Sequence, residues 1–237
     1  MSNLISKRGI VFLVLFTALA LVGMQINFSQ VVGSNNQYFT FFQFFGPIAG
    51  GFLGVFGVVA VLFAQLINFF IAGKEITVLN LLRLTPMLFA AYYFGSNKKA
   101  GFSDKFDLIV PLLAMLVFWS HPVGQEAWFY ALFWVIPIIV KFLPDNLFLR
   151  SLGATFTAHA IGGALWVWAV PMTAEQYILL IPITTFERLL FASGIAFSYV
   201  VFTNILNMID TVWSIEKFVN IEKRYVFLAQ SMKAKRD

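Results

Sequence analysis

The chain of 237 residues contains no cysteine. This excludes disulfides, thiolate metal centres and cysteine nucleophiles. Charge is also scarce: Asp, Glu, Lys and Arg make up 11% of the residues, against about 25% in a typical soluble domain. Histidine occurs only at His121 and His159, too few for an imidazole metal site. No Gly-x-x-x-x-Gly-Lys-Ser/Thr loop is present, so the chain brings no phosphate-binding loop of its own. No linker or internal repeat divides it.

Apolar surface, by contrast, is abundant. Hydrophobic residues make up 60% of the chain and aromatic ones 18%, with a mean hydropathy of +0.84. Such a composition excludes disorder and points to an all-α polytopic membrane protein. The 16 basic residues outnumber the 11 acidic ones. In a membrane chain that excess marks cytoplasmic loops, and no nucleic-acid partner is expected.

No Asp, Glu, Lys or Arg lies between Arg8 and Lys74. A spanning helix needs about 20 apolar residues, so this block holds two or three crossings. The spans expected are residues 10–26, 47–72, 76–94, 108–120, 127–142, 151–171 and 177–209. That makes a bundle of about seven transmembrane helices, within a range of six to eight. The first resembles a signal peptide and is taken as retained. The aromatic stretch at 35–45 suits a half-helix or re-entrant segment. Pro182 is expected to kink the last span or to divide it.

Counting Lys and Arg orients the bundle. Lys98, Lys99, Lys105, Lys141, Arg150 and six tail residues fall on one side, and only Lys7, Arg8 and Lys74 on the other. The richer side is expected in the cytoplasm of a plasma-membrane protein, together with the C-terminus. The chain then divides into a bundle at 1–209 and a basic tail at 210–237. In the tail Val212, Trp213, Ile215, Phe218 and Ile221 alternate with Glu216, Lys217, Glu222 and Lys223, a pattern that suits an amphipathic helix on the membrane face.

An ionisable side chain within a span costs at least about 2.5–3.5 kcal/mol on insertion scales and so requires a reason. Three qualify: Arg83 in the third span, and Glu187 and Arg188 in the last. Arg83 and Glu187 fall at similar depth, so they could pair, and Asn80 sits one turn before Arg83. As function, they would anchor a substrate carboxylate or phosphate; as structure, they would lock two helices. His159, Gly162, Gly163 and Trp166 share one helical face. That face could line a pocket for a planar solute, with His159 as hydrogen-bond partner, or could be a packing seam. Gly50, Gly54 and Gly57 make another smooth face in the second span.

No enzyme is expected. The Gly-x-Ser-Gly motif of rhomboid proteases is missing, the nearest fragment being Ala192-Ser193-Gly194, and the last span has no lysine for a retinal Schiff base. Neither a metal nor another cofactor is expected.

The short first span, the aromatic loop, the Gly46-Pro47-Ile48-Ala49-Gly50-Gly51-Phe52-Leu53-Gly54 opening of the second and the Ile181-Pro182…Glu187-Arg188 span resemble the S-components of energy-coupling-factor transporters. These are small hydrophobic subunits that capture vitamins or metal ions. Two features depart from that pattern: the family typically has six spans, and its Ala-x-x-x-Ala docking signature is unclear around Ala18 and Ala20. The resemblance implies an outward-facing pocket gated by residues 33–45, a membrane coupling subunit and partner ATPases. The solute would be held by Asn80, Arg83, His159, Trp166, Glu187 and Arg188. The alternative is a non-catalytic structural subunit of a larger membrane complex.

Overall fold

The computed structural model describes residues 7–33, 37–96 and 102–227. Helix α1 (Lys7–Gln25) leads into an antiparallel hairpin of β1 (Asn27–Gln30) and β2 (Tyr38–Thr40). Ser29 faces Phe39 and Gln30 faces Tyr38, and an irregularity at Phe28 shifts the register before Asn27 meets Thr40. The bulged Phe28 turns its ring onto Phe44 and Phe191, 5.0 and 5.7 Å away between centroids. A 3-10 turn (Phe41–Phe44) then carries the chain into α2 (Ile48–Leu53). From residue 37 onward, the aromatic stretch expected as a half-helix or re-entrant segment is the second hairpin strand followed by a short helical turn, and residues 35 and 36 lie outside the described residues.

The second expected span is not one helix. It breaks at Gly54, whose φ of 58° and ψ of −135° lie outside the reach of an ordinary L-residue. Helix α3 (Val55–Ile71) sets off in a new direction and packs back on α2. A Cβ on Gly57 would lie 2.0 Å from the Ala49 carbonyl oxygen, and one on Gly50 would lie 1.7 Å from that of Ala91. The expected single glycine face is therefore two backbone-to-backbone contacts separated by a turn.

The third span also divides, into α4 (Val78–Leu82) and α5 (Thr85–Gly95), with Arg83 and Leu84 at the bend. Thr77 caps α4 by accepting a hydrogen bond from the Asn80 backbone N–H at 3.1 Å. Next come α6 (Phe102–Trp119), the short α7 (Pro122–Glu126), a 3-10 segment (Trp128–Trp134) and α8 (Val135–Phe142). Asn146 caps α9 (Leu147–Ala169), accepting from the Phe148 and Leu149 N–H groups. Thr173 and Gln176 form a capping box at the start of α10 (Ala174–Trp213). Although Pro182 lies inside it, α10 is assigned as one continuous helix of 40 residues, about 60 Å at 1.5 Å per residue.

Helix α9 is the axle, packed against α5, α6, α8 and α10. Its buried run from Gly153 to Ala158 is mostly small, which lets these neighbours close in. A Cβ on Gly153 would strike the Tyr93 ring. The Tyr93 hydroxyl donates to the Pro137 carbonyl at 2.7 Å, joining α5 to α8 behind α9.

The tail does not form the expected amphipathic helix within the described residues. Ser214 adopts the left-handed conformation at φ 52° and ends α10. Two 3-10 turns, Ile215–Lys217 and Lys223–Tyr225, follow. Ile215, Val219, Ile221 and Val226 are buried, and the Asn220 N–H donates to the Phe52 carbonyl at 2.8 Å. The chain lost its helical option because its apolar residues found the bundle itself. Residues 228–237 lie outside the described residues.

Among the described residues one helix, α10, is long and apolar enough to cross a membrane by itself. Ile10–Gln25, Val55–Ile71 and Trp128–Phe142 are apolar but shorter. The protein is therefore all-α apart from its small hairpin, with one long apolar helix.

Candidate functional site

A cavity of about 480 Å³ opens beside α9, walled by the ends of α1 and α3, the hairpin, α4, α9 and the first half of α10. Asn80, Arg83, His159, Trp166, Glu187 and Arg188 all line it. The six residues singled out in the sequence share one space.

Their pairing differs from the expectation. Arg83 and Glu187 do not form an ion pair. Arg83 Nη1 donates to Asn80 Oδ1 at 3.2 Å, and its guanidinium lies 5.7 Å from the Trp166 ring centroid. Asn80 is steadied in turn by its Nδ2 donating to the Glu75 carbonyl. Glu187 accepts from Ser29 Oγ at 3.1 Å, which ties α10 to the hairpin, and its other oxygen stands 3.6 Å from Arg188 Nη2.

His159 is already occupied. The Trp134 indole N–H, which can only donate, reaches His159 Nδ1 at 3.0 Å. Nδ1 must therefore present its lone pair, and the ring is neutral with its proton on Nε2. Nε2 lies 3.2 Å from the Tyr130 hydroxyl, which in turn is 2.7 Å from Thr184 Oγ1. The expected hydrogen bond from His159 to a solute is replaced by a Trp134–His159–Tyr130–Thr184 chain that ties the 3-10 segment to α9 and α10. His159 lends the cavity a wall.

Other groups are not occupied. Arg83 Nε, Arg188 Nε, the Tyr177 hydroxyl and Gln65 Oε1 are buried without a hydrogen-bond partner, and all four residues line the cavity. These four atoms are themselves closed off from the void, and other unpartnered atoms, Arg150 Nε and Thr203 Oγ1 among them, belong to residues that do not line it.

Sequence reading missed part of this lining. Gln25, Asn27, Gln37 and Gln43 come from α1 and the hairpin region, and Gln65 and Asn68 from α3, to join the expected Asn80 on α4. Seven carboxamides therefore face a space flanked by Phe39, Phe69 and Trp166. Gln25 Nε2 donates to Asn68 Oδ1 at 2.8 Å, closing the wall between α1 and α3. The available signal was amide enrichment in otherwise apolar segments. Three cations, Lys74, Arg83 and Arg188, line the cavity against one anion, Glu187.

Among the described residues no cluster of three or more His, Asp or Glu side chains could hold a metal. Ser193, in the fragment nearest to a protease motif, donates to the Leu189 carbonyl and is not part of the lining. Compared with known proteins, the chain matches no family model, no curated protein and no solved structure.

Proposed function

We propose that the chain is a multi-pass membrane subunit that binds a small solute in this cavity and passes it on in transport, working with partner subunits that supply ATP-driven power. Support for a lipid surround comes from the apolar exterior. Leu15, Leu116, Phe63, Phe186 and Phe197 are each about 60–70% exposed, an outward apolar display foreign to water-soluble monomers. The α4–α5 bend fits such a protein, because irregular backbone at membrane depth is tolerated where it borders a cavity, and Arg83 and Leu84 do so. The proposed setting is the plasma membrane with the C-terminus in the cytoplasm. The S-component likeness accords with this reading through the size, the aromatic loop and the glycine-rich α2.

One observation carries the proposal: Arg83, Glu187, Arg188 and seven carboxamides, all from otherwise apolar segments, line a single cavity. A purely structural subunit has no use for a polar-lined cavity of this size, so the void favours binding. The test pairs function with folding. Arg83→Ala is expected to lower solute uptake at least tenfold, as losing a charge-assisted hydrogen bond of about 1.5–3 kcal/mol should. The melting temperature should stay within a few degrees of wild type. Collapse of the fold with uptake unchanged per folded molecule would contradict the assignment.

A further inference from the structure

Arg188 lies at the opposite end of the cavity from Arg83. Arg83 stands over Trp166, while Arg188 reaches Thr155, eleven residues earlier on α9. At 1.5 Å per residue those two stations are about 16 Å apart. The Arg83 end is part-buried, whereas Arg188 is only 2% exposed.

A guanidinium has five N–H donors and no acceptor. Arg188 offers one of them to Thr155 Oγ1 at a long 3.4 Å, and its Nε has no partner. Its ion pair with Glu187 is stretched to 3.6 Å, and that carboxylate is also held by Ser29. The faces of Phe39 and Phe191, 4.9 and 4.7 Å from the guanidinium carbon, stabilise the charge but accept no hydrogen bond. A buried cation whose acceptors are one distant hydroxyl and one shared carboxylate, in a cavity whose charged lining is two positive charges in excess, has donors to spare for an anion.

We infer that the Arg188 end of the cavity is an oxyanion seat: the ligand carries a carboxylate or phosphate that Arg188 receives beside Phe39, and a polar, flat body that extends along the carboxamides toward Trp166. The inference rests on the solute-binding reading and narrows it to one chemical class. Guanidinium geometry matches a carboxylate or phosphate through two parallel N–H···O bonds, which a lysine ammonium cannot reproduce. Lys74 and Arg83 then supply a positive approach to the seat.

The test uses full-length protein in detergent or nanodiscs. Nicotinate, indole-3-acetate and inorganic phosphate are titrated beside the neutral nicotinamide and indole-3-acetamide, with melting temperature and tryptophan fluorescence as readouts. At least one anion is expected to bind more tightly than the neutral amides. Arg188→Gln should weaken it by roughly tenfold to a hundredfold, the range of a charge-assisted hydrogen bond. If Arg188→Gln fails to fold, Arg188→Lys, which keeps the charge and loses the fork, is expected to cost about tenfold. Amides that bind as well as acids, or acid binding indifferent to both substitutions, would overturn the seat while leaving solute binding intact. Native mass spectrometry of the wild type separates the sources. A small acidic adduct lost on Arg188 substitution supports a free solute. A phospholipid lost in the same way supports the seat and overturns the solute. A neutral or cationic adduct overturns the seat alone. Neither adduct nor probe binding overturns both.

Discussion

At the level of single residues, the polar side chains divide into those that fasten the molecule and those left open. Glu222 fastens. It accepts from Arg150 Nη1 and the Tyr199 hydroxyl, each at 2.7 Å, and from Arg224 Nε at 2.9 Å. Burial by itself would raise its pKa, but Arg150 beside it and these hydrogen bonds together hold the carboxyl below the usual range. A depressed folded-state pKa gives stability that is fully present above the unfolded carboxyl value of about 4.3 and is lost as pH falls through the folded value. The melting temperature should therefore drop below about pH 4–5. Glu222→Gln should flatten that drop and cost roughly 1–3 kcal/mol at neutral pH. A variant with the wild-type acid slope would show that the cluster carries no stability.

The legible part of the site was the charged part. Arg83, Glu187 and Arg188 stood out because lipid-depth charge demands a reason, and His159 with Trp166 followed from helical spacing. Tyr130 and Tyr177 were not legible, since an aromatic with a hydroxyl near a span end reads equally as an interfacial anchor. The partners of His159 were hidden too: Trp134 and Tyr130 lie 25 and 29 residues away in a segment read as plain helix.

At the level of elements, periodicity located helices well and their interruptions poorly. α9 and α10 appear close to where apolar runs placed them. The α2–α3 break escaped detection because Gly54 sits in an unbroken apolar run, where a glycine reads as a packing residue as readily as a turn. Conversely Pro182, expected to kink or divide the last span, does not divide α10. The tail misled because alternating apolar and charged residues suit a surface helix, whereas Ile215 and Val219 had a pocket to fill. The close approaches offer a sharp test. Gly57→Ala places a methyl against the Ala49 carbonyl, while a Cβ at Gly162 meets only Pro86 Cγ at 3.9 Å. Overpacking costs about 1–3 kcal/mol or more, so Gly57→Ala should lower the melting temperature by many degrees and Gly162→Ala should leave it almost unchanged. Equal effects would mean that α2 and α3 are not in backbone contact.

At the scale of the whole molecule, an apolar exterior surrounds a cavity whose charged lining is net positive. Such a combination suits the proposed solute-capturing membrane subunit: lipid compatibility outside, a polar lining inside, and a hairpin that forms part of the cavity wall. Ser29 on that hairpin holds Glu187, so movement of the hairpin would release the neighbour of Arg188.

The absence of cysteine makes the central claim directly measurable, because a thiol introduced at Gly162 would be the only one in the chain. Gly162 lines the cavity with room for a side chain. In intact cells, Gly162→Cys is expected to react with a membrane-impermeant thiol reagent added outside, and bound solute should slow that reaction. A thiol at this position that stays unreactive in the folded protein, from either side of the membrane and with or without solute, would contradict an accessible binding cavity.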